Sequence, residues 1–473
     1  MQEHFPEQPV IPAQVGYRVG FDEFLDGYYD PSDQLREWVY ESTRRRLDAG
    51  QSSLDAVDTV DGLDQRVAAM RRLLLESFGG GVRPAAPLIV TESPRVCDGG
   101  QVAAVELVVT GRTGLAIPAT VYEPGSRTAP GDAVLILCGH APEAREYGPF
   151  VQLARSLARA GILAVVADPI AQGGRRWHDW EASAQACLAP VDRVLETHNE
   201  LGVRGWWAGV SLQRYFAEDA MTMVDYLVSR PDVDPARIGV TGSSGGGVQA
   251  ALLMMLDPRI AAAAPANFIS SRRAYLGAGS AQDGEQIFPT LSAAGFDHAD
   301  ILAAMAPRPV LVAAGNYDFF PVEGAIATVE RARRLYSLHG AADRLHLVRT
   351  DAGHGYNTEL IDAVTGFFKA NLPANCPPPG PRRAVAVTVG QATRPGADEA
   401  DRLGELLSED FPGVDPDVDA ARAWLAERIS QSRQPLAALY PRWTVARRLE
   451  GTRARSIAAR EFHWSEQGIL NAG

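Results

Sequence analysis

Residues 237–247 read RIGVTGSSGGG, so a serine stands between small residues in the run Gly242-Ser243-Ser244-Gly245-Gly246. A short apolar run precedes it and an apolar helical pattern follows, the strand–turn–helix setting in which G-x-S-x-G presents a nucleophile. Small neighbours permit the strained turn that lifts the Ser244 hydroxyl clear of a sheet. A serine hydroxyl is a poor nucleophile at neutral pH and needs a base. The Gly245 N–H, at the start of the helix, could donate to an oxyanion with help from the helix N-terminus. The competing phosphate-loop readings fail. No lysine follows to complete GxxxxGK[ST], and Gly239, Gly242 and Gly245 do not make GxGxxG. A purely structural glycine turn is the plainer alternative.

Base and acid are expected after the serine, each just past a later strand. The run PVLVAAG is followed by NYDFFP, and LHLVRT by DAGHGYN, which puts Asp318 and then His354 at two such strand ends. In a doubly wound sheet catalytic groups collect at that edge. His354 would take the Ser244 proton, while Asp318 would hold the imidazole tautomer and stabilise the imidazolium. Asp351 is the rival acid, but three residues before His354 it is better placed to shape the loop. His140 follows the apolar run AVLILCG, where a backbone N–H completes an oxyanion hole, with Ala141 next to it; its imidazole would only line the site. His178, His198 and His298 are read as loop residues with acidic neighbours. The D-H-A-D pattern at residues 297–300 suits helix capping better than metal binding. No metal-ligand set is assigned, and the chemistry requires no metal or organic cofactor.

Substrate contacts are less defined. Trp177, Trp180, Trp206 and Trp207, half of the eight tryptophans, fall in one stretch and could wall an acyl or sugar pocket or simply pack it onto the core. Phe319 and Phe320, beside the candidate acid, suggest a mostly apolar cleft.

The elements that must position these groups follow from periodicity. Residues 1–84 form an N-terminal helical extension. One helix starts at Ser32 or Asp33 and stops at Gly50; a second carries Leu63, Val67, Met70, Leu74 and Phe78 at helical spacing and stops at Gly79-Gly80-Gly81. From 85 to 375, short β-type runs (VAAVELVVT, AIPATVYEP) lead into continuous apolar runs alternating with helices. That alternation predicts an α/β fold: a doubly wound, mostly parallel sheet with helices on both faces. Residues 171–215 are its tryptophan-rich insertion. Residues 376–473 open on the stiff stretch PPPGPRR and continue as a mostly helical C-terminal extension.

Composition bounds the function. The chain has 473 residues, 46% hydrophobic and 22% charged, with 45 basic against 58 acidic side chains for a net charge of −13. So acidic a surface repels nucleic-acid phosphates and anionic lipid, and the short clusters Arg44-Arg45-Arg46 and Arg175-Arg176 lie among acidic neighbours. Neither nucleic acid nor membrane is expected as a partner. The four cysteines, Cys97, Cys138, Cys187 and Cys376, contain no C-x-x-C pair, which argues against structural zinc and for reduced thiols in a cytoplasm. No signal-peptide pattern opens the sequence, and no run approaches 18 apolar residues. The terminal extensions could support a homo-oligomer.

Three stretches, GHAPEAREYGPFVQLARSLARAGILAVVADPIAQGGR, DVDPARIGVTGSSGGG and APRPVLVAAGNYDFFP, together resemble the acetyl xylan esterase-like branch of the α/β-hydrolases, which shares features with prolyl oligopeptidase-like hydrolases. The resemblance covers roughly residues 85–372. It implies Ser244 as nucleophile, Asp318 as acid, His354 as base, and backbone amides near His140 and Gly245 as oxyanion donors. Where such esterases often read HG-x, this chain has Cys138-Gly139-His140. The activity expected is hydrolysis of a small-molecule ester through an acyl-enzyme, the resemblance favouring a short acyl group such as acetyl on a carbohydrate or small metabolite. Cleavage of an amide or peptide by the same triad is the alternative, and a non-catalytic binding protein on the same fold is a second.

Overall fold

The computed structural model describes residues 31–98, 101–125, 130–176, 190–207, 209–278, 283–288, 290–372 and 386–390. Two helices come first, α1 (Pro31–Asp55) and α2 (Val60–Ser77), then strands β1 (Leu88–Glu92), β2 (Val96–Asp98), β3 (Val102–Thr110), β4 (Ala116–Pro124) and β5 (Gly131–Leu137). Alternation follows with α3 (Gly148–Arg159), β6 (Leu163–Ala167), α4 (Pro190–Trp207), α5 (Gln213–Ser229), β7 (Val233–Ser243), α6 (Gly245–Leu256) and β8 (Ile260–Ala266). The rest is α7 (Arg272–Gly277), α8 (His298–Ala303), β9 (Val310–Gly315), α9 (Val322–Leu338), β10 (Leu345–Thr350), α10 (Thr358–Asn371) and β11 (Val387–Gly390).

The strands form one sheet in the order β10-β9-β8-β7-β5-β6-β4-β3-β1-β11, with β2 paired to β3. From β10 to β6 every pairing is parallel; from β6 through β4 and β3 to β1 it is antiparallel. The continuous apolar runs form the central parallel strands β5, β6, β8 and β9, buried on both faces, and their residues divide by alternation. On β5, Ala133, Leu135 and Leu137 face a core shared with α2, α5, α6 and α9, whereas Val134 and Ile136 face a second core under α3 and α10. Burying both faces of the central strands places their C-terminal ends, and the loops that leave them, at one rim of the sheet.

One expectation changes, and two contacts are added that the sequence reading did not contain. The first helix does not stop at Gly50 but runs on to Asp55. Glycine sits inside it because α1 crosses residue 295 there: a Cβ on Gly50 would lie 1.9 Å from the Gly295 carbonyl oxygen. The N-terminal helices are also part of the main core, to which Leu54, Leu63, Val67, Met70, Leu74 and Phe78 contribute. Arg66 ties them further, its guanidinium pairing with Asp300 and donating to the Gly50 and Gly295 carbonyls. Arg334 of α9 caps the C-terminal end of α1 through the Leu54 and Val57 carbonyls. Finally, Val387–Gly390, within the C-terminal extension, pairs in parallel with β1 and lengthens the sheet by one strand. The helical patterns expected after residue 397 lie outside the described residues.

Gly50→Ala tests the first crossing. Alanine favours a helix interior by up to about 1 kcal/mol, but a backbone oxygen cannot step aside as a flexible side chain can. Overpacking should win, lowering stability by roughly 1–3 kcal/mol in urea unfolding; an unchanged or raised midpoint would show that α1 is not held against Gly295.

Candidate active site

Ser244 stands at the junction of β7 and α6 with φ +61° and ψ −123°, a backbone conformation side chains other than glycine rarely adopt. Its neighbours explain how the turn fits. A Cβ on Gly242 would lie 2.3 Å from the Gly246 oxygen, and one on Gly246 would lie 2.0 Å from the Leu137 oxygen at the end of β5. The Ser244 amide donates to Ala266 of β8, and its carbonyl accepts from Val248 in the first turn of α6. Gly245 is the first helical residue, where backbone N–H groups lack intrahelical acceptors. Gly246→Ala should therefore collapse the elbow, costing more than about 2 kcal/mol of stability; circular dichroism with urea titration reads it, and a wild-type midpoint would contradict the packing.

Asp318 and His354 meet across two loops. After β9 the chain presents Asp318, after β10 it presents His354, and the His354 Nδ1–H donates to Asp318 Oδ1 at 2.8 Å. The Asp318 side chain is buried (1% exposed), while the imidazole stays accessible at 29%. Donation from Nδ1 fixes the tautomer and leaves the Nε2 lone pair as the basic position. Asp318 is itself held by two further donors, the Phe320 amide on Oδ1 at 3.0 Å and Asn267 Nδ2 on Oδ2 at 2.8 Å. Asp351 points elsewhere, accepting from Asn316 Nδ2 at 2.5 Å. Phe319, half exposed, lays its ring 4.3 Å from that of His354, whereas Phe320 is buried against Tyr275.

Asn267 was not singled out by the sequence. It ends β8 with φ +50°, which asparagine tolerates better than most residues, and its Oδ1 accepts from Ser243 Oγ at 3.0 Å. The residue thus connects the elbow to Asp318. The signal lay in an Asn following IAAAAPA at a strand end. Asn267→Gly keeps the backbone freedom and removes both bonds, so kcat/KM should fall about tenfold, the worth of one charge-assisted hydrogen bond, mostly in kcat. Unchanged kinetics would assign Asn267 to the turn alone.

The oxyanion side differs from expectation in its side chain. Gly139 lies against the elbow: a Cβ there would be 2.2 Å from the Ser243 oxygen and 3.1 Å from Ser244 Cβ. The loop is braced by Gln172, whose Nε2 donates to the Gly139 and Ala141 carbonyls at 2.7 and 2.9 Å. The His140 imidazole does not simply line the cleft. It turns into a buried cluster with His198, Asp283 and Glu285. His198, expected in a loop, sits in α4 and is fully buried. In the run SAQDGEQIF nothing marks Asp283 and Glu285, since neither periodicity nor spacing links them to the distant histidines. Glu285 lies flush on the elbow, its carboxylate 2.5 Å from where a Cβ of Gly245 would be. Burial alone would favour neutral imidazoles, but the adjoining carboxylates outweigh it, pushing His198 up to about 9 and His140 well above the ordinary range.

The other candidates divide. His298 begins α8, buried and held neutral by desolvation, and its Nδ1 accepts from the Ser270 amide. The expected capping belongs to its neighbours, Asp297 and Asp300 forming a reciprocal capping box. Cys138 is buried, which keeps its thiol protonated and unsuited to act as a nucleophile. Trp206 is buried in α4 at 3% exposure. Trp207 belongs to the same helix, while Trp177, Trp180 and His178 lie outside the described residues. Among the described residues no helix is long and apolar enough to cross a membrane.

Comparison with known proteins agrees with this architecture. Residues 211–373 match the model of the prolyl oligopeptidase family, a span that includes Ser244, Asp318 and His354. YtaP of Bacillus subtilis (strain 168), provisionally named a hydrolase, is 31% identical over 145 residues, covering 30% of this chain and 48% of its own. The chain thus spans about half the length of that curated relative. Among solved structures, Methylesterase BT1017 superposes with a TM-score of 0.50 at 19% identity, over 81% of this chain and 80% of its own. A glucuronoyl esterase from Solibacter usitatus gives 0.47 at 17% identity, over 67% and 94%. At such identities the structural likeness speaks to fold alone. The sheet order and the serine elbow between β7 and α6 give the chain an α/β-hydrolase fold, and residues 211–373 are similar to the prolyl oligopeptidase family.

Proposed function

We propose that the protein is a serine hydrolase that cleaves a carboxylic ester through an acyl-enzyme, with Ser244, His354 and Asp318 as its triad. The observation that carries the reading is the His354–Asp318 hydrogen bond at the same sheet rim as the strained serine turn. In the first half-reaction Ser244 Oγ attacks the ester carbonyl while His354 Nε2 takes its proton. The oxyanion is met by the N–H groups of Gly245 and His140. Collapse breaks the carbon–oxygen bond, and the imidazolium returns the proton to the departing alcohol. Water then repeats the sequence on the acyl-serine and releases the acid.

The substrate we infer is a short acyl ester, such as an acetyl group on a carbohydrate or small metabolite. The half-exposed Phe319 ring beside His354 supplies an apolar contact suited to a small acyl or alkyl group. One protein of known structure that shares the fold is named a methylesterase, which accords with small-ester chemistry. A second reading, amide or peptide hydrolysis by the same residues, draws on the prolyl oligopeptidase family match. Matched ester and anilide substrates of one short acyl group separate the two. Faster ester turnover, declining as the acyl chain lengthens, is expected; faster anilide turnover would overturn the ester assignment.

A further inference from the structure

The buried cluster beside the elbow is hydrogen-bonded between its two histidines and from His198 to Asp283, yet this leaves Glu285 Oε2 without a partner. His140 Nε2 lies 2.7 Å from Asp283 Oδ2 and 2.9 Å from Glu285 Oε2. His198 Nδ1 lies 3.2 and 3.1 Å from the same two oxygens, and the two ring nitrogens are 3.1 Å apart. Four potential ligand atoms from three separate segments therefore converge on one point, within 4.8 Å of one another.

Three of the four side chains keep their other polar atom for the surrounding protein. His198 Nε2 faces the Ile170 carbonyl at 3.0 Å, and donation there leaves the Nδ1 lone pair directed inward. Asp283 Oδ1 accepts from the amides of Glu285 and Gln286, freeing Oδ2 for the centre. Gln249 Nε2 donates to Glu285 Oε1 at 3.2 Å, while Glu285 Oε2 is buried with no hydrogen-bond partner despite the two nearby ring nitrogens. An oxygen so placed needs a positive centre. Without one, the buried carboxylates must be balanced by two imidazolium rings whose N–H groups stand 3.1 Å apart. One divalent cation would neutralise both carboxylates and satisfy all four inward atoms together.

We propose that His140, His198, Asp283 and Glu285 bind a divalent cation of zinc's type in a four-coordinate site. Ligand distances of about 2.0–2.2 Å in a tetrahedron give edges of about 3.3–3.6 Å, and the five separations measured here, 2.7–3.2 Å, are slightly tighter. Two imidazoles and two carboxylates suit zinc; calcium and magnesium take more ligands, nearly all oxygen. With four protein ligands the shell is closed, as in structural sites. The ion's role is therefore to join the 139–141 loop, α4 and the 283–286 loop. On the hydrolase reading above, His140 is then a positioning residue: its imidazole is anchored while its backbone N–H faces the oxyanion.

The test uses the full chain, produced in zinc-supplemented medium, freed of any affinity tag and passed through chelator. Elemental analysis should find about one zinc per chain, and protein refolded with Co2+ should show the intense visible absorption of a four-coordinate site. Asp283→Asn with Glu285→Gln should lose both signals, and Gln249→Ala should weaken zinc binding roughly 10–100-fold. Added zinc should raise the thermal midpoint of stripped wild type but not of the double variant. Full metal content in the double variant would place the ion elsewhere and overturn the proposal. So would folded wild type that takes up neither metal, leaving a proton-bridged cluster. If the double variant does not fold, the wild-type stoichiometry and cobalt spectrum decide alone. None of these readings depends on turnover, so metal binding and the triad can fail separately.

Discussion

Ser244→Ala should lower kcat/KM by about 10⁴–10⁶-fold, the range seen when a triad nucleophile is removed, while the melting temperature stays close to wild type. The loss is large because neither Cys138 nor Ser243 is placed to form the acyl intermediate in its stead. Cys138 is buried with its thiol held protonated, and Ser243 directs its hydroxyl to Asn267 Oδ1. The fold should survive because one oxygen is removed from a turn whose shape is set by Gly242 and Gly246. Labelling with a fluorophosphonate probe, read by intact mass, gives the comparison before any substrate is known. Wild type should gain one adduct and Ser244→Ala none, whereas Ser243→Ala should still label. An adduct that survives in Ser244→Ala would remove this serine as nucleophile. Absence of labelling on folded wild type would favour the binding-protein reading.

Asp318→Asn should cost about 10³–10⁴-fold in kcat with little change in KM. Asp318 accepts from His354 Nδ1, the Phe320 amide and Asn267 Nδ2. All three donors point at a carboxylate, so an amide NH2 placed there faces another donor unless Asn267 flips. Even after such a flip, the negative charge that stabilises the imidazolium is gone. Asp351→Asn is the control, since Asp351 bonds Asn316; its effect should stay within about twofold, as for a surface change outside the site. A reversal, with Asp351→Asn the more damaging, would transfer the acid role to that loop.

The parallel half of the sheet and the strand-end positions of Ser244, Asp318 and His354 were legible in the chain because both rest on local signals. A strand buried on both faces must be a continuous apolar run, and a strained turn must be built from small residues, so AVLILCG, ILAVVADP and GSSGG carry their structure in composition alone. The same logic placed Asp318 and His354 in the loops that follow two later strand-like runs. Other features depend on contacts between distant residues. Gly50 looks like a helix stop until α1 meets Gly295, where only a glycine permits the crossing. Val387–Gly390 becomes a strand because β1 offers an unpaired edge, and Asn267 matters because β8 ends between Ser243 and Asp318. The cluster of His140, His198, Asp283 and Glu285 is the extreme case. Its members come from a loop after β5, the helix α4 and the loop before α8, separated by up to 145 positions. Spacing along a chain encodes which side chains share one element's face. Which faces converge is decided by the crossovers of the sheet and the packing of its two cores, and that information exists only in three dimensions.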